Sequence, residues 1–147
     1  MQIELANASR SAFFSFTLSV RVPVTSLCPC SKAISEYGAH NQRSEIEVLL
    51  RSNSFVWIEE VVDAVEKSAS SPLWALLKRE DEKYVTELAY DNPRFVEDLV
   101  REILMSVRGL ENVSSVEVRA ENFESIHNHS AYAQVAWSDD TQQADQL

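Results

Sequence analysis

The spacing of apolar residues changes twice along this chain, and that change restricts the fold more than any other feature of the sequence. Apolar and polar residues alternate strictly over residues 14–22, which predicts an antiparallel strand with one buried face, ended by Pro23. Residues 46–50, 116–121 and 131–137 alternate in the same way. Four strands are therefore expected, two on each side of a central segment.

In that central segment the apolar spacing becomes helical. Residues 57–65 form one apolar stripe, with Ser54 as the predicted cap, and residues 95–107 form a second. The second helix is predicted to begin with Asn92 as N-cap and Pro93 at its first position. The order ββααββ predicts an α+β fold: an antiparallel four-stranded sheet with two main helices on one face. Because such a sheet leaves two open edges, we also expect an oligomer.

Length and charge narrow the class of protein. The 147 residues, 45% of them apolar, suit a single domain over residues 1–147, with a frayed tail at residues 138–147. A net charge of -10 argues against nucleic acid or an anionic membrane as a partner. The sequence shows neither a spanning apolar run nor the start of a signal peptide, so we expect a cytoplasmic protein with reduced cysteines.

All the cysteines and histidines fall in predicted loops, at Cys28, Cys30, His40, His127 and His129. Thiolate, imidazole and nearby carboxylates together form the ligand set of a metal such as zinc. This concentration predicts one metal-dependent hydrolase site. The residues alone also allow Cys28 as a buried inert thiol and His40 as a surface group. They allow His127 and His129 as ligands, as acid–base groups, or as one of each.

Three long segments identify a family. Residues 22–44 (VPVTSLCPCSKAISEYGAHNQRS), 76–100 (LLKREDEKYVTELAYDNPRFVEDLV) and 121–135 (ENFESIHNHSAYAQV) resemble the C-terminal half of the prokaryotic GTP cyclohydrolases of type IB. These enzymes belong to the tunnelling-fold superfamily, whose units assemble into barrels. The resemblance implies an enzyme that opens the guanine ring of GTP, giving 7,8-dihydroneopterin triphosphate and formate, the first step towards tetrahydrofolate. The family's chains carry two modules, and this sequence resembles only the second.

The resemblance also implies a role for individual residues. It makes Cys28, His40 and Glu82 ligands of a divalent metal (zinc, manganese or iron), with Cys28 also important for catalysis. Cys30 is awkwardly placed for a second ligand, two residues on and beside Pro29, so we expect it to have a structural or supporting role. Proton transfer falls to His127. Guanine would be anchored by Glu124, with Glu97 in reserve, and His129 is a further predicted substrate contact. Separately from the resemblance, Arg43 and Lys32 are predicted triphosphate contacts, because they are among the few basic residues and flank the site segments.

Other interpretations stay open for these residues and for the chain. Glu82 is otherwise an exposed charge, Glu124 a solvated hairpin acid, and Arg43 and Lys32 ordinary surface cations. The chain as a whole is alternatively a tunnelling-fold fragment that binds metal or purine but needs its missing module for turnover. It is alternatively a structural-metal protein, whose site would be closed by four protein ligands.

Overall fold

The computed structural model describes residues 2–4 and 15–139 of the chain. Six strands and four helices occur in these residues, in an order that extends the predicted ββααββ pattern. They are β1 (Gln2–Glu4), β2 (Phe16–Leu27), α1 (Pro29–Ile34), β3 (Asn41–Ser52), α2 (Ile58–Ser68), β4 (Ser71–Pro72), α3 (Arg79–Asp91), α4 (Val96–Arg108), β5 (Val113–Asn122) and β6 (Ala131–Ser138).

The strands form one antiparallel sheet in the order β1-β2-β3-β5-β6, and β4 pairs with β2 as well. The four long strands are the four that the alternating segments predicted. Their longest pairing runs from Phe16 opposite Ser52 to Leu27 opposite Asn41. The short strands β1 and β4 were not predicted, because two or three residues are too few for a pattern to develop.

Strand β2 continues five residues beyond the predicted end, so the prediction that Pro23 stops it is wrong. Proline lacks the N–H that a central strand uses, but it is tolerated where the neighbouring strand does not need that group. Pro23 faces Glu45 on β3. On the other side, β1 pairs with residues 17–19 and β4 with Val24 and Thr25, so Pro23 falls between them.

Helices α2 and α4 cover one face of the sheet and close the hydrophobic core, which confirms the α+β class. The inward residues of β2, β3 and β5 meet the apolar stripes of both helices, and the largest fully buried side chains include Ile46, Leu50, Leu99 and Ile103. Burial of this apolar surface is the main force that holds the sheet and helices together.

The predicted helix starts are wrong in both cases. Helix α2 begins after Trp57, whose N–H donates to the Glu60 carboxylate at 3.0 Å, whereas the Ser54 hydroxyl donates to the carbonyl of Glu111 at 3.1 Å. Asn92 ends α3 instead of starting α4, and its side-chain amide donates to the carbonyl of Ala69 at 2.8 Å. A polar residue that can cap either end of a helix does not reveal which end it caps.

The opposite face of the sheet carries a line of ion pairs. Arg21 and Arg119 both contact Glu47 at 3.1 Å, and Arg119 also contacts Glu117 at 2.7 Å. The hydrogen bond to Glu117, followed by the attraction of that carboxylate, raises the pKa of Arg119. These pairs are largely exposed, so they mainly set the charge pattern of this face.

Ser138, the first residue of the predicted frayed tail, is instead the last residue of β6, and the Asp139 N–H donates to the carbonyl of Ser114 at 2.8 Å. The rest of the predicted tail, residues 140–147, lies outside the described residues, as does Phe14 at the start of the first predicted strand. Among the helices of the described ranges, none combines the length and apolar character needed to cross a membrane.

Candidate active site

A cavity of about 340 Å³ opens at one end of the sheet, where β2 and β5 end, β3 begins and the N-terminus of α4 approaches. This volume is at the lower end of the range usual for small-molecule sites. The cavity is lined by Cys28, Pro29, Cys30, His40, Gln42, Arg94, Phe95, Val96, Glu97, Asn122, Glu124, His127, His129 and Ala131. All five cysteines and histidines of the sequence are among them.

The loop from Cys28 to His40 is closed by a short hydrogen-bonded circuit. The Cys28 N–H donates to the carbonyl of His40 at 3.0 Å, and the His40 N–H donates to the Ser31 hydroxyl at 3.2 Å. Cys28 also caps α1, because its Sγ accepts from the Ser31 N–H at 3.5 Å. Gly38, with φ at +78°, makes the turn that returns the chain to β3. The circuit therefore holds the half-buried Cys28 beside His40 at the cavity wall.

The loop between β5 and β6 supplies the opposite wall. The rings of His127 and His129 stack with their centroids 5.2 Å apart, although the backbone bends over residues 125–129 and is not extended there. Glu124 comes earlier in the same loop and is partly buried. The loop is joined to β3 where the Phe123 N–H donates to the carbonyl of Arg43 at 3.0 Å. Two imidazoles and a carboxylate thus face the Cys28 wall across one cavity.

The junction between α3 and α4 forms the third side. The Arg94 N–H donates to the carbonyl of Leu27 at 3.0 Å, which fixes the junction to the end of β2. The Arg94 guanidinium contacts Glu102 at 2.9 Å, and its buried Nε has no hydrogen-bond partner among the described residues. Glu97 lies in the first turn of α4, where the helix dipole favours a negative charge.

Three predicted site residues lie outside the cavity. Glu82 is exposed on α3 and lies 3.9 Å from Arg79. The Lys32 ammonium donates to the carbonyl of Tyr90 and sits 4.2 Å from the centre of the Tyr90 ring. Arg43 is exposed on β3, between two residues that face inward. The structure therefore brings together five of the eight predicted site residues.

The donor set at the cavity suits a borderline divalent metal. Cys28 offers a soft thiolate and His40 an imidazole, and such a pair favours zinc or iron over magnesium or calcium. Within residues 2–4 and 15–139, no three histidine, cysteine or acidic side chains converge on a point that could hold an ion. The Cys28 thiol and the His40 imidazole, which line the same cavity, fit such a metal by their donor chemistry.

Sequence reasoning missed Gln42 and Arg94. Gln42 occupies a core-facing position of β3, in line with Ile46, Val48 and Leu50, and it is 93% buried. A polar residue buried at such a position belongs to a hydrogen-bonded network, but residues 41–45 are all polar, so the sequence does not show that Gln42 faces inward. Arg94 gives no signal either, because its place at the cavity follows from the path of the chain between two helices.

Comparisons with known proteins find relatives of this chain in sequence and in fold. A family model described as type I GTP cyclohydrolase folE2 matches residues 1–133. The GTP cyclohydrolase FolE2 of Geobacter sp. (strain M21) is 59% identical over 129 residues, which are 88% of this chain and 48% of the relative. That of Geobacter sulfurreducens is 62% identical over 122 residues, 83% of this chain and 47% of the relative. The chain therefore spans about half the length of these relatives.

Among solved structures, a dihydroneopterin aldolase from Burkholderia thailendensis bound to guanine has a TM-score of 0.52. It is 15% identical, and the match covers 84% of this chain and 91% of that one. At this identity the likeness concerns the fold alone. It agrees with the predicted tunnelling fold.

Proposed function

Because this chain belongs to the type I GTP cyclohydrolase FolE2 family, we propose that it opens the guanine ring of GTP by metal-dependent hydrolysis. The products are 7,8-dihydroneopterin triphosphate and formate, and the pterin would enter the route to tetrahydrofolate. The net reaction consumes one water and removes C8 of the purine as formate. As the chain spans about half of its relatives' length, we also propose that a second module completes the active assembly.

The observation that carries this proposal is the content of a single cavity. Two thiols, three imidazoles and two carboxylates line it: Cys28, Cys30, His40, His127, His129, Glu97 and Glu124. Hydrolysis of a purine ring needs a site for a metal, a group that moves protons and an acceptor that holds the base. The cavity offers a candidate for each of these tasks.

We assign Cys28 and His40 to the metal, with Glu82 as the third ligand. When bound, a divalent metal supplies Lewis acidity and a water activated for attack at neutral pH. Glu82 must approach the cavity to take part. Only Ala89 of α3 is buried, so packing does little to hold the first turns of this helix, including Glu82, in one place. Cys30 is exposed beside Cys28, and we keep it in a supporting role.

We assign proton transfer to His127 and the base anchor to Glu124. Opening the imidazole part of guanine requires protons to reach a ring nitrogen and to leave the attacking oxygen, which a histidine does well near neutral pH. A carboxylate accepts two hydrogen bonds from the amide N–H and amino group of guanine. Glu97 lines the same cavity and is the second candidate for the anchor, whereas His129 contacts the substrate beside His127.

The triphosphate contacts are assigned to basic side chains near the cavity loops. Arg43 and Lys32 remain the predicted residues, although neither lines the cavity and Lys32 is engaged with Tyr90. A guanidinium binds phosphate through two parallel hydrogen bonds, so Arg43 is the stronger candidate of the two.

The test is an anaerobic incubation of the chain with GTP and Zn²⁺, Mn²⁺ or Fe²⁺, followed by pterin fluorescence. The chain is assayed alone and mixed with the part of the Geobacter sp. relative that it does not match. We expect turnover in the mixture, and we expect Cys28→Ala to abolish both metal binding and turnover, whereas Cys30→Ala keeps the metal. A metal-loaded mixture that leaves GTP intact contradicts the proposed activity, and purine binding without turnover favours the non-catalytic fragment.

The same assay separates the roles of the loop residues. His127→Ala should slow turnover by about 10²–10⁴-fold, the usual effect of removing a general acid–base group, with metal content unchanged. Glu124→Gln should weaken purine binding by about 1–3 kcal/mol, because one acceptor becomes a donor. Glu97→Gln is the matched control. Should it weaken binding while Glu124→Gln does not, Glu97 is the anchor.

We also propose that the chain forms a homo-oligomer through its sheet edges. Strand β6 is eight residues long and lies at one end of the sheet order. An edge of this length presents backbone donors and acceptors to a neighbouring strand. Sedimentation velocity at micromolar concentration should show an oligomer, and a folded monomer would contradict this part of the proposal.

A further inference from the structure

We propose that Gln42 is a positioning residue, which holds the neutral His40 ring in the tautomer that leaves Nε2 free to bind a divalent metal. The inference rests on the proposed function, because it takes His40 as a ligand of that site. It concerns a residue that lines the same cavity and contacts the His40 ring.

Five side chains form a continuous chain of hydrogen bonds across β2, β3 and β5. The Nδ1 of His40 lies 3.0 Å from Oε1 of Gln42, and Nε2 of Gln42 donates to the Ser26 hydroxyl at 3.1 Å. The Ser26 and Ser44 hydroxyls are 2.8 Å apart. The Ser44 hydroxyl donates to Oδ1 of Asn122 at 2.7 Å. The chain thus links His40 to Asn122, and both residues line the cavity.

The oxygen and nitrogen of the Gln42 side-chain amide give this series of hydrogen bonds one direction. An amide oxygen only accepts hydrogen bonds, and an amide nitrogen only donates them. Because Nε2 of Gln42 donates to Ser26, Oε1 faces His40, so the His40 Nδ1 must carry the hydrogen. Since Ser44 donates to Asn122, the Ser26 hydroxyl donates to Ser44. The hydroxyl hydrogens of Ser26 and Ser44 therefore each form one hydrogen bond in this series.

Burial makes this direction difficult to reverse. Ser26 and Ser44 are fully buried, and Asn122 and Gln42 are 3% and 7% exposed. Water therefore does not compete for these groups, and a mispaired donor or acceptor here would carry its full desolvation cost. Turning over the Gln42 amide alone would set its NH₂ group against the His40 Nδ1–H. Both hydroxyls would also have to rotate.

The consequence for His40 concerns its other nitrogen. A neutral imidazole with hydrogen on Nδ1 has a lone pair on Nε2, which is the form that binds a metal. Histidine ligands generally donate their other N–H to a carbonyl or carboxylate, which fixes ring orientation. Gln42 provides such a carbonyl from a β-strand, and the strand holds the carbonyl more rigidly than a loop would.

The test is a nuclear magnetic resonance measurement of the histidine tautomers. The metal-free chain, labelled with ¹⁵N in its histidine rings, is studied well above the usual histidine pKa, and His40→Gln identifies the His40 signals. We expect hydrogen on Nδ1 of His40. Gln42→Met, similar in size but unable to accept, should give a mixture of tautomers. Gln42→Glu keeps the accepting oxygen and should keep hydrogen on Nδ1.

Zinc affinity gives a second readout, measured by competition with a chromogenic chelator. Gln42→Met should bind Zn²⁺ about 10- to 100-fold more weakly, the usual loss for an outer partner of a ligand, and Gln42→Glu should stay near the original affinity. The matched control is Gln134→Met on the exposed face of β6, which should change neither tautomer nor affinity.

The proposal is overturned if His40 of the unaltered chain carries its hydrogen on Nε2, or if Gln42→Met leaves it on Nδ1. Circular dichroism checks that each variant folds. Should Gln42→Met not fold, Ser26→Ala replaces it, because losing the acceptor of the Gln42 NH₂ group should also release the tautomer. Failure of the unaltered chain to bind Zn²⁺ would refute the metal assignment of the proposed function, while the tautomer would still decide the role of Gln42.

Discussion

Helices α3 and α4 follow one another and have the same length, thirteen residues, but the fold uses them in opposite ways. Six residues of α4 are buried, whereas α3 buries only Ala89. Each helix carries acidic residues in its first turn, and one of these on each helix is a candidate site carboxylate: Glu82 on α3 and Glu97 on α4. Glu97 lines the cavity, and Glu82 does not. Packing of α4 against the core thus positions Glu97, whereas the core does not hold Glu82 in place.

The attachment of α3 shows where its freedom lies. Its C-terminal end is held by Lys32 on Tyr90 and by the bond from Asn92 to Ala69. Its first eight residues, 79–86, expose all side chains except the partly buried Val85. An element with few buried contacts opens at low free-energy cost, and such elements are common among parts that move in function. We therefore expect α4 to act as scaffold and α3 to adjust.

The largest expected difference between the helices is in stability. Ile103→Ala on α4 should lower the free energy of unfolding by about 2–5 kcal/mol, because it empties a fully buried site. Tyr84→Ala on the exposed part of α3 should change it by no more than about 0.5 kcal/mol. Urea unfolding measures both. Equal losses would mean that α4 is not the helix held by the core.

The next effect concerns metal binding by α3. Glu82→Gln should weaken Zn²⁺ binding at least about 10-fold, since even an outer partner of a ligand is worth that much. The unfolding free energy of the metal-free chain should not change, because Glu82 is exposed. Glu80→Gln, an exposed acid in the same turn, is the control and should leave zinc affinity intact. If both variants bind zinc normally, α3 contributes no ligand.

The smallest effect concerns the attachment of α3. Lys32→Met removes the ammonium that contacts Tyr90, a contact worth about 0.5–1 kcal/mol at such a site. Amide hydrogen exchange over residues 79–91 should therefore accelerate roughly 2- to 5-fold, the same free energy expressed as a rate. Exchange over residues 96–108 should not change. Acceleration in both helices would show that they open as one unit.

The contrast between the helices also explains what sequence could predict. The four long strands and helices α2 and α4 were predictable because each buries one face. Burial of one face requires apolar residues at a regular spacing, which is visible in the sequence. Helix α3 buries one side chain, so its sequence shows a run of charged residues without an apolar stripe, and this helix was not predicted. The strand through Pro23 and the role of Asn92 depend on neighbours distant in sequence, which local patterns do not contain.

The candidate site divides in the same way. Residues in the loops at the cavity end of the sheet, including Cys28, His40 and Glu124, were predicted and lie at one cavity. Glu82 was assigned by resemblance, and Arg43 and Lys32 because they flank the site segments in sequence; the structure places all three outside the cavity. Gln42 lies in the polar run of residues 41–45, so its inward face and its contact with His40 become visible only once the strands are in register.

Gly38 has a consequence for the loop that joins Cys28 to His40. A Cβ built at this position meets no atom within 4 Å, so there is ample room for a larger residue. The backbone conformation there, with φ at +78°, is instead the mirror image of the one that L-residues prefer. An L-alanine would cost about 1–2 kcal/mol although nothing touches it. A D-alanine introduced by chemical synthesis should be accepted, so this turn selects its residue by chirality and not by size.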